Sequence, residues 1–306
     1  MARAIREDLG QPLARRRAEA AGAGVGQSYW QVAWRRFRKH RLAIVGGVMA
    51  SALIVMALLA PFIAPYDFET ISLATRWKTP SAAHAFGTDE LGRDVLTRIM
   101  YAGRISLTVG FLVAINVSVI GMVVGSVAGF YGGRIDTLLM RLVDVLLSVP
   151  TLPLYLILAA LIPGGGMSRI IAIFTAFQWT GIARLVRGQV LSLRTLEFVE
   201  AARAMGASEP RLILRHLLPN AMAPVIVAAT LAVGGAILGE SALSFLGLGI
   251  APPTPSWGNM LQRAQEYVWN APHLAVFPGL FIFITVLSFN FLGDGLRDAL
   301  DPRLKV

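Results

Sequence analysis

Six runs of roughly twenty mostly apolar residues recur along this 306-residue chain, and no other feature limits its fold as much. They cover about 42–63, 105–130, 137–162, 170–191, 221–247 and 274–292. A segment in a bilayer must satisfy its own backbone polar groups, so runs of this length form helices. The sequence therefore predicts an all-α integral membrane protein with six transmembrane helices. Hydrophobic residues make up 55% of the chain and charged residues 15%, which leaves no stretch able to build a sizeable soluble core.

Several chemistries are excluded at the outset. The chain has no cysteine, so disulfides, thiol catalysis and thiolate metal sites are absent. His40, His84, His216 and His273 are scattered, without metal-ligand spacing. No Gly-rich run ending in Lys-Ser or Lys-Thr is present, so no nucleotide-binding P-loop is expected, and no bound cofactor. A serine protease in the membrane would need a base, and no histidine lies within a span. The reading is not an enzyme.

A net charge of +10 raises the question of nucleic acid. In so apolar a chain it is better explained by the excess of Lys and Arg on the inner side of a membrane. When each residue is counted with the nearer membrane face, 21 of the 28 Lys and Arg fall on the inner side and 7 on the outer. This bias predicts both termini inside, a multi-pass place in the cytoplasmic (inner) membrane, and no nucleic-acid partner.

The map divides as follows. Residues 1–41 form a tail and a basic amphipathic lead-in, of which 1–26 read as a mobile inner tail. In the lead-in, Trp30, Trp34 and Phe37 recur among Arg35, Arg36, Arg38, Lys39 and Arg41. That pattern fits a helix lying on anionic lipid and equally a plain set of topogenic charges. Residues 42–63 are an uncleaved first span, and 64–104 an external segment. Within it, 86–96 reads as the start of a short helix capped by Thr88. Residues 105–296 hold the other five spans, with an inner loop at 192–220, and 297–306 form the closing tail. In the second span Gly121, Gly125 and Gly129 recur every four residues and offer a bare face for close packing.

The inner loop is the most distinctive polar segment. It runs Glu197–Asn220 and holds Glu200, Ala201, Ala202, Gly206, Leu218 and Pro219 in fixed spacing. The two alanines give a helix a flat face that can seat in a groove on a partner. Gly206 can take the left-handed conformation that ends that helix. Ser208 can cap a second short helix with Pro210 in its first turn, and Pro219 would close the segment. Two short helices about a glycine turn make a rigid elbow. Glu-Ala-Ala alone is common in helix-favouring sequence; the added spacing and the place between spans give it meaning.

Charges inside the membrane are costly, at least ~2.5–3.5 kcal/mol when unpaired at mid-bilayer. Arg141 and Asp144 lie three apart near the inner end of the third span, as a structural clamp or part of a translocation path. Glu240, near the outer end of the fifth span, lines a path or gate or else bonds an adjacent helix. Asn116, Gln178 and Asn290 read as helix–helix contacts.

Four blocks and one outer loop carry a family resemblance. They are Phe86–Leu96, Tyr131–Asp144, the elbow, the closing stretch from Phe277 to Pro302, and Leu246–Gly258. The chain from about residue 28 onward resembles the C-type permease subunit of dipeptide, oligopeptide and nickel ABC importers. One position departs from the pattern: His216 stands where Ile is usual. The resemblance implies a type I ABC importer permease fold and a heterodimeric channel with a homologous B-type permease. It also implies two ATPase subunits, which use ATP and Mg, and an extracytoplasmic substrate-binding protein, found in bacteria or archaea. Glu200 to Gly206 would be the coupling helix. Peptide is the expected cargo, with nickel or another small solute as the alternative; an ion-driven secondary transporter would leave the elbow without a purpose.

Overall fold

Small residues decide how closely these helices approach. A computed structural model describes residues 29–164 and 166–300. Among them every regular element is helical, apart from an isolated antiparallel bridge between Thr88 and Asp94. The tail 1–26, the end of the closing tail at 301–306 and the side chain of Trp30 lie outside the described residues.

Helix α1 spans Tyr29–Phe37 and α2 spans Arg41–Ile63. Arg38, Lys39 and His40 separate them, and the His40 Nδ1 accepts the Ala43 N–H at 3.1 Å, capping α2. The buried residues of α2 are Ala43, Gly46, Ala50, Leu53, Ala57 and Ala60, a narrow stripe at helical spacing. This stripe lets α10 (His273–Leu300) approach its backbone: a Cβ on Gly46 would stand 2.7 Å from the Ser288 carbonyl oxygen.

Helix α3 runs from Val95 to Tyr131, 37 residues, which at about 1.5 Å per residue is on the order of 55 Å. That exceeds a hydrocarbon core of about 30 Å, so α3 projects beyond it. The helix begins ahead of the apolar run expected from about 105, at Asp94, whose carboxylate accepts the Thr97 N–H at 2.8 Å. The expected Thr88-capped helix does not form. Instead Asp89 accepts the N–H groups of Leu91 and Arg93, both at 2.9 Å, and Gly92 turns at φ +75. A short acid bonding its own following backbone competes directly with a helical turn.

The third expected span is not one straight helix. It is α4 (Gly133–Ser148) and α5 (Thr151–Leu161), bent by 86° at the break. Pro150 has no N–H to continue α4 and drives Val149 to extended backbone, φ -88 and ψ 129. Among the described residues, the helices long and apolar enough to cross a membrane number six with that bent pair as one span, and five without it.

Helix α6 (Met167–Leu193) packs along α3 in the most extensive helix pairing among the described residues. The glycine face read from the sequence is the seam. Gly121, Gly125 and Gly129 seat against Ile182, Ala183, Val186 and Val190, and a Cβ on any of them would collide. Helix α7 (Glu197–Ala204) follows, then α8, which runs unbroken from Glu209 to Phe245. At the opposite end, α9 (Trp257–Ala264) begins with a Ser256–Asn259 capping box. Its fully buried Trp257 donates from Nε1 to the Ile99 carbonyl at 3.1 Å, tying α9 to α3. One apolar core lies among α3, α4, α5, α6, α7 and α8, and a second among α2, α3, α8, α9 and α10.

Candidate functional site

The elbow is built from two opposite demands on an eight-residue helix. Val199 and Ala202 of α7, three apart, are buried against the core that includes Leu212 and Leu217. Glu197, Glu200, Ala201 and Met205 face outward, with Met205 83% exposed. Of the two alanines picked out by the sequence, then, Ala202 anchors the helix and Ala201 is presented.

The end of α7 is a Schellman motif. The Ala207 N–H reaches the Ala202 carbonyl at 3.1 Å and the Gly206 N–H reaches that of Arg203 at 3.0 Å. Both bonds require the left-handed φ of +84 that Gly206 adopts. Nothing lies within 4 Å of where its Cβ would be, so glycine is needed here for its backbone and not for room.

The second half of the elbow differs from expectation. Ser208 sits at the helix start in extended backbone and its carbonyl accepts the Leu212 N–H at 2.9 Å, but its side chain makes no capping bond. Pro210 occupies the first turn, as expected. Pro219 does not close the segment. Leu212–Leu217 widens into a π-helical turn, and the Leu218 N–H bonds the Ile213 carbonyl five residues back. That wider turn carries the chain past the N–H missing at Pro219, and the elbow runs straight into the fifth span. Leu218 is partly buried and Pro219 exposed.

Charged side chains tie α3, α4, α6 and α7 to one another, and the sequence reading missed most of them. Arg194, just after α6, donates to the Gly129 and Phe130 carbonyls at 2.9 and 3.1 Å, closing the end of α3. The Arg203 guanidinium lies 6.0 Å from the Phe130 ring. On α4 and α6, Asp136 takes a bidentate pair from Arg187, the second bond at 2.6 Å. Asp144 pairs with Arg184 of α6 at 2.5 Å, which corrects the expected Arg141–Asp144 pair. The two share a face of α4, but a guanidinium from the neighbouring helix reaches the carboxylate, so the clamp joins two helices instead of bracing one. Two acids on one helix and two arginines on the next were the available signal.

At the opposite end, Glu240 is fully buried in a polar knot. Ser244 Oγ donates to it at 2.6 Å and Ser106 Oγ of α3 at 3.3 Å. The same hydroxyls accept the Ile250 N–H at 3.0 Å and the Trp257 N–H at 3.4 Å. Of the two readings left open by the sequence, this geometry is that of a bond to an adjacent helix. Asn116 likewise reaches Thr175 across α3 and α6 at 3.4 Å. Arg169 donates to the carbonyls of Ala159 and Leu248 at 2.9 and 2.8 Å, joining the ends of α5 and α8.

Comparison with known proteins agrees with this architecture. Residues 121–306 match the model of the binding-protein-dependent transport system inner membrane component, and residues 28–80 match the N-terminal TM domain of oligopeptide transport permease C. The chain is 47% identical over 279 residues to the dipeptide transport system permease protein DppC of Bacillus subtilis, covering 91% of this chain and 87% of that one. It is 44% identical over 278 residues to the oligopeptide transport system permease protein OppC of the same organism, covering 91% of each. A glutathione transport system permease protein, GsiD of Escherichia coli, is 44% identical over 277 residues, 90% of this chain and 91% of that one. With its membrane-length helices and these matches over most of its length, the chain is a multi-pass membrane protein that belongs to the family of binding-protein-dependent transport system inner membrane components.

Proposed function

We propose that this chain forms half of the channel of an ATP-driven importer for dipeptides or oligopeptides, and that the elbow Glu197–Pro219 is where a partner ATPase acts on it. Relatives at 42–47% identity carry dipeptide and oligopeptide names, which supports peptide as the cargo. In this reading a homologous permease supplies the other half of the channel. An extracytoplasmic protein delivers substrate, and ATP with Mg is used by the ATPase pair. Both termini lie inside.

One observation carries the coupling reading: a short, rigidly ended helix that presents Glu200, Ala201 and Met205 outward from a continuous 37-residue helix. Leu196, Phe198, Met205 and Leu214 are each exposed apolar side chains on an otherwise charged loop, of the kind a binding face uses. Force applied there crosses the hydrogen-bonded Gly206 turn and then runs along α8, which has no break between Glu209 and Phe245. ATP can bias the channel only if the ATPase holds the elbow differently in its two states, and a rigid elbow makes that difference felt.

The chain has no native cysteine, which makes the test direct. Met205→Cys should crosslink to a single cysteine placed in the ATPase groove, with a yield that changes on ATP binding. In cells lacking this gene but keeping its partners, the wild-type chain should restore uptake of a labelled dipeptide. Crosslinking to another subunit only, or rescue of nickel uptake in place of peptide, would overturn the coupling site or the cargo respectively.

A further inference from the structure

We propose that the groove between α1 and the start of α2 binds one anionic phospholipid, with an acyl chain along its apolar wall and the phosphate at its basic mouth. The groove has a volume of about 520 Å³ and is open along one side. Trp34 and Phe37, stacked at 5.9 Å, form one wall. Ile44 and Val48, a turn apart on α2 and 42% and 64% exposed, form the other. Between them Gly47 leaves the hollow: a Cβ there would meet only Leu292 Cδ2, at 3.5 Å. The groove follows α2 from Ile44 to Ser51, on the order of 10 Å at about 1.5 Å per residue.

Charge and shape select the occupant. Arg38 lines the mouth, and Lys39 and Arg41 stand exposed beside it. His40 Nε2 lies 3.3 Å from Asp298, so that carboxylate is turned toward His40. A phosphate at this mouth meets cationic side chains with Trp34 at the level where a membrane-interface Trp sits. The hollow is one glycine wide, which suits a flexible chain and not the broad face of a helix. The wall itself belongs to the outward side of the first span, where the surrounding medium is lipid.

A single benzophenone on Val48→Cys tests this in the purified, assembled transporter. The protein would be placed in bilayers of phosphatidylglycerol and phosphatidylcholine, irradiated, and the adduct identified by mass. The expected product carries one phospholipid, with phosphatidylglycerol enriched at least about fivefold over the bulk ratio. Arg38→Gln with Lys39→Gln should return the ratio to bulk, and Gly47→Phe should remove the adduct. Should Gly47→Phe fail to fold, the surface pair of substitutions still decides. Lipid captured at the bulk ratio by the unchanged chain would mean ordinary surrounding lipid and overturn the site. So would a protein adduct, whether to residues 1–28, a second copy or another permease.

Discussion

Glycine does two unlike jobs on one mechanical path, in the bundle and in the elbow that adjoins it. In the seam between α3 and α6, Gly121, Gly125 and Gly129 are there because nothing larger fits: each Cβ would press on α6. In the elbow, Gly206 has open space around it and is there because φ is +84. The first use is steric and concerns whether the bundle closes at all. The second is conformational and concerns the shape offered to a partner. A seam glycine therefore answers to the volume of its replacement, whereas the elbow glycine answers to backbone strain at once and to bulk only when a partner is seated.

The largest effect should come from Gly125→Leu. Overpacking a filled interface costs typically 1–3 kcal/mol, and here the obstruction is the Ala183 carbonyl and the Val186 side chain, neither of which can step aside. The chain should fail to accumulate in the membrane, with Gly125→Ala an intermediate case of lowered thermal stability in detergent. Normal abundance and an unchanged melting temperature for Gly125→Leu would show that the seam is looser than it stands here.

Gly206→Arg should behave in the opposite way. The strain of a left-handed non-glycine residue is about 1–2 kcal/mol and local, so the protein should reach the membrane at near-normal level while peptide uptake is lost. Gly206→Ala carries the same strain without the bulk and should keep part of the uptake. Equal loss in both would place the requirement in the backbone and not at the contact. Full uptake with Arg would remove the coupling role altogether.

Where the sequence was legible, one local rule sufficed. The glycine face needed only a period of four, and the Schellman end needed only a glycine after a short helix. The misplaced features each needed two rules in competition. Asp89 bonding its own backbone displaced the helix expected from Thr88. Pro150 broke a run whose hydropathy alone looked continuous, and a π-helical turn carried α8 past Pro219, where a proline stop was expected. The anchoring charges were illegible for another reason. Arg184 and Arg187 have meaning only beside Asp144 and Asp136, 40 and 51 residues away, and periodicity says nothing about neighbours on different helices.

Glu240 extends the comparison to the far end of the path, where the filling is polar. Glu240→Ala should destabilise the protein by about 1–3 kcal/mol, because it strands the Ser106 and Ser244 hydroxyls it now receives. Glu240→Gln, which keeps an acceptor, should cost less and leave uptake in place. A loss of uptake in a stable Glu240→Gln protein would show that the charge serves transport and that the knot is not merely structural.

The smallest effect tests the more exposed of the two clamps between α4 and α6. Asp144 and Arg184 are each about half exposed, at 53% and 51%, so surrounding screening holds their pairing to about 0–1 kcal/mol. Exchanging them, with Arg at 144 and Asp at 184, should restore whatever stability either single change removes, while Arg141→Ala should leave that coupling untouched. A double-mutant cycle in thermal unfolding reads both. If the coupling vanished with Arg141→Ala, the pair would lie within α4, and α4 would lack this tie to α6. If it persists, the push delivered at the elbow has a second route into the bundle, through α6 to α4, beside the continuous rod of α8.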